Sequence, residues 1–287
     1  MNGERFTADA AGPLLQLLAT QLPGWSRNTL RQRIELGCVD VNGMPAARGN
    51  QQVAAGDVVE VRDKGAGRRA EATAAKLPVL YFDDDLLAVD KPAGLLAVGS
   101  EHERERTALA FARERVQHER RGADVWPAHR IDRETSGVLL FVRSRELRDA
   151  VQAAWPEVEK VYVAIVEGRP EPAAGTIEQP LWEDRNLRVR VGTHAEAKPA
   201  RTRYRTVDSH GARTELEVML DTGRKHQIRA HLAWLGHPVV GDDRYGARAS
   251  RLCLHAHRLV LSHPRDGRRL TIEAPVPNVL RRELEAG

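Results

Sequence analysis

Apolar positions recur along this chain in two rhythms, helical near the N-terminus and alternating further on. Over residues 13–22, Leu14, Leu15, Leu18 and Leu22 fall at helical spacing, with Pro13 suited to the first position and Pro23-Gly24 as the stop. A second helix is expected from Ser26 as N-cap to Gly37 as C-terminal stop. Leu30 and Ile34 form its apolar face, while Arg27, Arg31 and Arg33 are assigned to the other side. Cys38-Val39-Asp40-Val41 then alternates as a strand into Asn42-Gly43, a hairpin-turn pair, and Val58-Val59-Glu60-Val61 reads as a further strand. Residues 63–76 are Gly/Ala-rich and charged without periodicity, as a linker is.

From Leu77 onward the alternating rhythm dominates. Strands are expected at 79–82 and 86–89, the second ending in a turn at Asp90-Lys91-Pro92-Ala93-Gly94 with Lys91 exposed. A surface helix is expected over 101–121. Val138-Leu139-Leu140-Phe141-Val142 is apolar throughout, as a buried strand is. After a helical patch near 145–155, residues 160–166 alternate, which puts Lys160 and Tyr162 on one face. Strands at 198–207 and 214–220 precede a helix expected to start at Asp221-Thr222-Gly223, carry an Ile228, Leu232, Leu235 stripe and end at Gly236. Gly241-Asp242-Asp243-Arg244-Tyr245-Gly246 reads as a loop.

Composition narrows the class without deciding the function. The 287 residues are 41% hydrophobic and 29% charged, as in ordinary globular proteins, with aromatics at only 5%. The net charge is +4 and the pI about 9.3, which permits a polyanionic partner where arginines cluster. Cys38 and Cys253 lie far apart, so neither a disulfide framework nor a thiolate zinc site is expected. No apolar segment resembles a signal or a membrane span, and a cytoplasmic, monomeric protein is expected.

The chemistry concentrates at His129-Arg130-Ile131-Asp132-Arg133-Glu134, immediately before the apolar strand. A charged loop leading into a buried strand holds reactive groups on a rigid support, although most such loops are solvated surface. Arg130 and Arg133 flank Asp132 and favour its ionised form. Two further polar clusters are Lys160 with Tyr162, and residues 224–231. His226 and His231 are five apart, wrong for one helix face, and His255-x-His257 lacks partners, so no metal is expected. Ser136 has no GxSxG elbow, and no phosphate-cradling glycine motif is present, so neither a serine hydrolase nor a nucleotide cofactor is expected. A carboxylate, its cations, a flat tyrosine ring and a basic surface suit a flipped nucleobase.

His129-Arg130-Ile131-Asp132-Arg133-Glu134-Thr135-Ser136-Gly137 resembles the HRLDxxTSG signature of the RluA-type pseudouridine synthases. Lys160-x-Tyr162 resembles that family's second motif and Gly223-Arg224-Lys225-His226-Gln227-Ile228-Arg229-x-His231 its third. Gly236-His237-Pro238, Gly241-Asp242 and Lys91-Pro92-x-Gly94 also agree, so the resemblance spans about residues 78–280. Lys225, where Thr is commoner, and Val98-Gly99, where His-Pro is usual, depart from it. Residues 5–62 resemble the S4 RNA-binding domain, in which the second helix meets RNA phosphates, a role implied here for Arg27, Arg31 and Arg33.

The resemblance implies an α+β fold: a mixed, largely antiparallel central sheet with flanking helices over 77–287, and a small N-terminal α/β domain. It implies a cofactor-free isomerase acting on RNA, with large-subunit ribosomal RNA the expected partner. Asp132 is then the nucleophile, Tyr162 packs on the target base, and Arg229 pairs with Asp132. Ile228 and Lys160 belong to the substrate pocket, and Arg130 with His129 fills the space the base leaves. The alternatives are the same chemistry on transfer RNA, or an RNA-binding assembly factor that uses the same surfaces without catalysis.

Overall fold

The structure, a computed structural model, describes residues 4–35, 38–42, 44–46, 49–61, 77–99, 107–247, 249 and 251–287. Its contacts divide the chain into two units, Met1–Ala75 and Lys76–Gly287. The expected linker at 63–76, Gly37 and Gly43 lie outside the described residues.

In the first unit the leucine spacing produces the helix Leu14–Gln21, and the second helix runs Arg27–Glu35. Ser26 caps the second through its Oγ, which accepts the Thr29 amide at 3.1 Å. A four-stranded sheet orders Glu4–Thr7, Val58–Val61, Val39–Val41 and Met44–Pro45. Leu14, Leu18, Leu30, Ile34, Val39 and Val59 form its core. One expectation fails here. Arg33 is buried, with its guanidinium 4.6 Å from the centre of the Trp25 ring, whereas Arg27 and Arg31 are exposed. At about 100° per residue, Arg33 lies roughly 200° around the helix from Arg31 and beside the Leu30–Ile34 stripe.

The second unit is built on a ten-stranded sheet. Its main path runs Ala174–Ile177, Thr202–His210, Arg213–Leu220, Glu159–Glu167, Leu254–Ser262, Ser136–Val142, Leu86–Lys91 and Val79–Phe82. Trp126–Pro127 and Arg269–Glu273 pair beside this path. The pairings between the strands of this sheet are antiparallel except one, between Ser136–Val142 and Leu254–Ser262, which matches only Ser136 to His255 and Gly137 to Ala256. Ser136–Val142 is buried at every position, which is why it reads as an unbroken apolar run. The expected 101–121 helix is Ala108–Glu119, capped by Thr107, whose Oγ1 accepts the Ala110 amide at 3.1 Å; residues 100–106 lie outside the described set.

The parallel seam depends on glycine. Gly137 has φ +110°, and a Cβ there would sit 2.1 Å from the Ala256 carbonyl oxygen. No L side chain fits without parting the two strands. Gly137→Ala should therefore lower stability by more than about 3 kcal/mol, read as a shift in the urea unfolding midpoint.

Candidate active site

Asp132 sits in the loop that enters the strand Ser136–Val142, and this loop is tied to the turn after Leu86–Lys91. Gly94 donates its amide to the Arg133 carbonyl at 2.8 Å, and Arg133 Nε returns a bond to the Gly94 carbonyl at 2.9 Å. Lys91, expected at the surface, is fully buried instead. Its Nζ donates to the carbonyls of Pro92 at 3.0 Å, Leu95 at 2.8 Å and Arg133 at 3.0 Å. Burial pushes its pKa down to about 7, against the pull of Glu134 and Asp132. Three carbonyl acceptors nonetheless use all three hydrogens of an ammonium, so the cage is built for the charged form.

Neither neighbouring arginine is the cation at Asp132. Arg133 is spent on Gly94, and Arg130 is exposed at the rim. The partner comes from a helix about a hundred residues away in sequence: Arg229 Nη1 lies 3.4 Å from Asp132 Oδ2. Arg229 is itself fixed from behind. Its Nε and Nη2 donate to the two oxygens of the fully buried Asp242 at 2.7 and 2.8 Å. Asp242 Oδ1 also accepts the amides of Arg244 and Tyr245 at 3.0 and 3.1 Å. Burial opposes the arginine's charge, but Asp242 and then Asp132 outweigh it and raise its pKa.

The helix carrying Arg229 is shorter than its sequence pattern suggested, running Gln227–Trp234 rather than starting at 221. Gln227 explains the late start. Its Oε1 accepts from Thr222 Oγ1 at 2.9 Å and the Arg224 amide at 3.0 Å, while its Nε2 donates to the Arg201 carbonyl and Thr202 Oγ1, each at 3.0 Å. These bonds hold 222–224 as a loop, and His226 takes a left-handed φ of 52° to enter the helix. The result puts His226 Nε2 3.8 Å from Asp132 Oδ2.

A cleft of about 660 Å³ opens over these groups and is lined by Asp132, Tyr162, Lys160, Trp155, Ile228 and Arg229, among others. That volume lies within the usual range for small-ligand sites. Tyr162 projects from the strand Glu159–Glu167; burial, and then the charge of Asp132, raises its hydroxyl pKa. His129 stacks on Trp155 with ring centres 4.8 Å apart, and its Nε2 accepts the Leu140 amide at 3.1 Å. Burial first, and Lys160 second, push its pKa down to about 4, so the ring is neutral. Lys160 donates to the Trp155 carbonyl at 3.1 Å. Among the described residues no group of three or more His, Cys, Asp or Glu could hold a metal, and no helix is long and apolar enough to cross a membrane. A carboxylate held by a fixed guanidinium, in a basic cleft that a tyrosine also lines, can act on a flat ring packed against that tyrosine.

The family model for RNA pseudouridylate synthase matches residues 85–234. The chain belongs to that family. The synthase is 36% identical to an uncharacterized RNA pseudouridine synthase of Mycobacterium bovis, over 96% of this chain and 94% of the relative. It is 35% identical to ribosomal large subunit pseudouridine synthase D of Nitrosomonas europaea, over 94% and 83% of the two chains. Against ribosomal large subunit pseudouridine synthase C of Salmonella typhimurium the identity is 31%, over 98% and 94%. The fold matches human RNA pseudouridylate synthase domain containing 4 with a TM-score of 0.63 at 23% identity, covering 75% of this chain and 94% of that one. The synthase is an RNA-modifying isomerase with the mixed, largely antiparallel sheet of its family.

Within the synthase, Asp132, Tyr162, Arg229, Lys160, Ile228, His129 and Arg130 all line one cleft. His129 and Arg130 are differently placed, one anchored on the floor and the other exposed. Asp242, Tyr245 and His226 fall in motifs or a loop that the sequence picks out, but sequence reasoning assigned them no role at the site, and it put Lys91 at the surface. A buried arginine requires a buried acid, and the acid in Gly241-Asp242 was the available signal. The unusual Lys225 is ion-paired with Glu183, and Val98 and Gly99 line the cleft. Asp242→Asn strands the Arg229 charge in the interior, so a stability loss of about 3–5 kcal/mol should appear in chemical denaturation.

Proposed function

We propose that the chain isomerises uridine to pseudouridine in large-subunit ribosomal RNA, with Asp132 as the acting nucleophile on an everted base. The observation that carries this reading is the Asp132 carboxylate, 3.4 Å from a doubly anchored Arg229 and open to the cleft that Tyr162 also lines. The reaction breaks the N1–C1′ bond and makes a C5–C1′ bond; N1 gains a proton and C5 loses one. No electron is exchanged with an outside group, so the chain's own side chains suffice. Both a covalent adduct to Asp132 and removal of a sugar proton would use this same carboxylate. Tyr162 supplies a flat face for the base, and its raised pKa keeps the hydroxyl protonated at neutral pH. The choice of large-subunit RNA rests on the names of the relatives from Nitrosomonas and Salmonella, and it implies a cytoplasmic site of action.

We read the first unit as an S4-like RNA-binding module, supported by its two helices, the second carrying Arg27 and Arg31 on its exposed side. Arginine forks pair well with phosphate oxygens.

The central test is Asp132→Asn. The variant should bind RNA as the wild type does and release no tritium from RNA carrying 5-tritiated uridine. Cells relying on it should lack the pseudouridines that mapping of wild-type ribosomal RNA detects. Continued release would remove Asp132 from its role. Replacing Arg27 and Arg31 with Ala should weaken RNA binding and lower the slope of log affinity against log salt by about 2. An unchanged slope would leave these arginines as solvated surface.

A further inference from the structure

The loop Gly241–Gly246 and the first turn of the helix Gln227–Trp234 together enclose a histidine to which the chemistry above gives no part. His226 Nδ1 lies 3.0 Å from the Tyr245 hydroxyl, and its Nε2 faces Asp132 Oδ2 at 3.8 Å. The carboxylate of Asp132 can only accept, which favours the hydrogen on the Nε2 that faces it; Nδ1 then accepts from the Tyr245 hydroxyl, whose oxygen also accepts the Val189 amide at 3.2 Å. An imidazole that accepts at Nδ1 carries its hydrogen on Nε2. That hydrogen points at the carboxylate.

We propose that His226 is a positioning residue for Asp132, with its imidazole held at Nδ1 by the Tyr245 hydroxyl. At 3.8 Å the contact is longer than a hydrogen bond and closes by a small movement when the cleft fills. His226 and Arg229 converge on the same oxygen, Oδ2, so the other oxygen is the one left for the substrate. The rest of the pocket supports a neutral ring. Burial lowers the pKa of His226; Asp132 opposes this, while Arg229, Arg244 and Lys225 add to it. Burial also raises the pKa of Tyr245, which therefore keeps the hydrogen it donates. The Tyr245 ring is held by the guanidinium groups of Arg188 and Arg229, each 5.4 Å from its centre. The left-handed backbone at 226 places the imidazole over Asp132, and Asn is the residue best able to keep that backbone.

The inference rests on Asp132 being the acting group, and its test separates the two claims. Tritium release from 5-tritiated ribosomal RNA is measured for the wild type, Tyr245→Phe and His226→Asn from about pH 6 to about pH 8, with RNA affinity alongside. Tyr245→Phe keeps the aromatic ring but removes the hydroxyl that holds Nδ1, so the imidazole is free to turn away from the carboxylate. Its rate at about pH 8 should drop on the order of tenfold. The loss should lie in the rate at saturating RNA, since the hydroxyl touches the histidine and not the RNA. His226→Asn should lose a similar factor at every pH, and both variants should bind RNA as the wild type does. A loss in Tyr245→Phe that lies in RNA affinity and not in the saturated rate, or wild-type rates in His226→Asn, would overturn the inference. If Asp132→Asn still releases tritium, the nucleophile reading itself fails. An inactive Asp132→Asn beside a fully active His226→Asn sinks only the role given to His226.

Discussion

A single guanidinium shared between two carboxylates organises the candidate site. Arg229 gives two of its nitrogens to Asp242, fully buried, and a third to Asp132, which faces the cleft. The sharing is unequal: the bonds to Asp242 are 2.7 and 2.8 Å, the contact to Asp132 3.4 Å. The short pair neutralises a charge that the interior could not otherwise hold. The long contact leaves the Asp132 oxygen oriented while remaining available to something else. A lysine could not do both, because a point charge lacks the planar fork that grips one acid while reaching another.

The backbone around this triad is built to resist displacement. The strand after Asp132 joins its parallel neighbour over only two residue pairs, and Gly137 permits the close approach. Ahead of the strand, Lys91 fastens the carbonyls of Pro92, Leu95 and Arg133 to one ammonium. On the opposite side, Gln227 locks the loop before the helix by four hydrogen bonds, so Arg229 falls in the first helical turn. Lys91 and Gln227 each spend a polar side chain on backbone groups that an irregular, buried loop would otherwise leave unsatisfied. Acid and arginine are thus presented by segments with little freedom to move, as a reaction on a single bond of the substrate requires.

Local chemistry misled wherever distant contacts competed with it. Arg130 and Arg133 stand beside Asp132 in sequence, yet Arg133 is taken by Gly94 and Arg130 is exposed. Lys91 ends a strand and precedes a proline, a typical surface setting, but three carbonyls hold it inside. Arg33 is one more charge on an arginine-rich helix, yet its angular position puts it against Trp25 and the core. The last of these was within reach of helical geometry alone; the first two were not.

The sequence by itself determined the helices and strands whose apolar spacing is regular, the alternation that makes the large sheet mainly antiparallel, and the residue types the chemistry needs. Those properties are local, since they depend on side chains a few positions apart along one element. The motif resemblance named Arg229 as the partner of Asp132; only the tertiary structure decided that Asp242 stands behind that arginine, and that Tyr245 and His226 meet beside the carboxylate. Those are contacts between segments up to about a hundred residues apart. Their selection depends on burial, where an unpaired charge or donor costs several kcal/mol and the competing solvent is gone. Spacing along the chain carries no record of that competition.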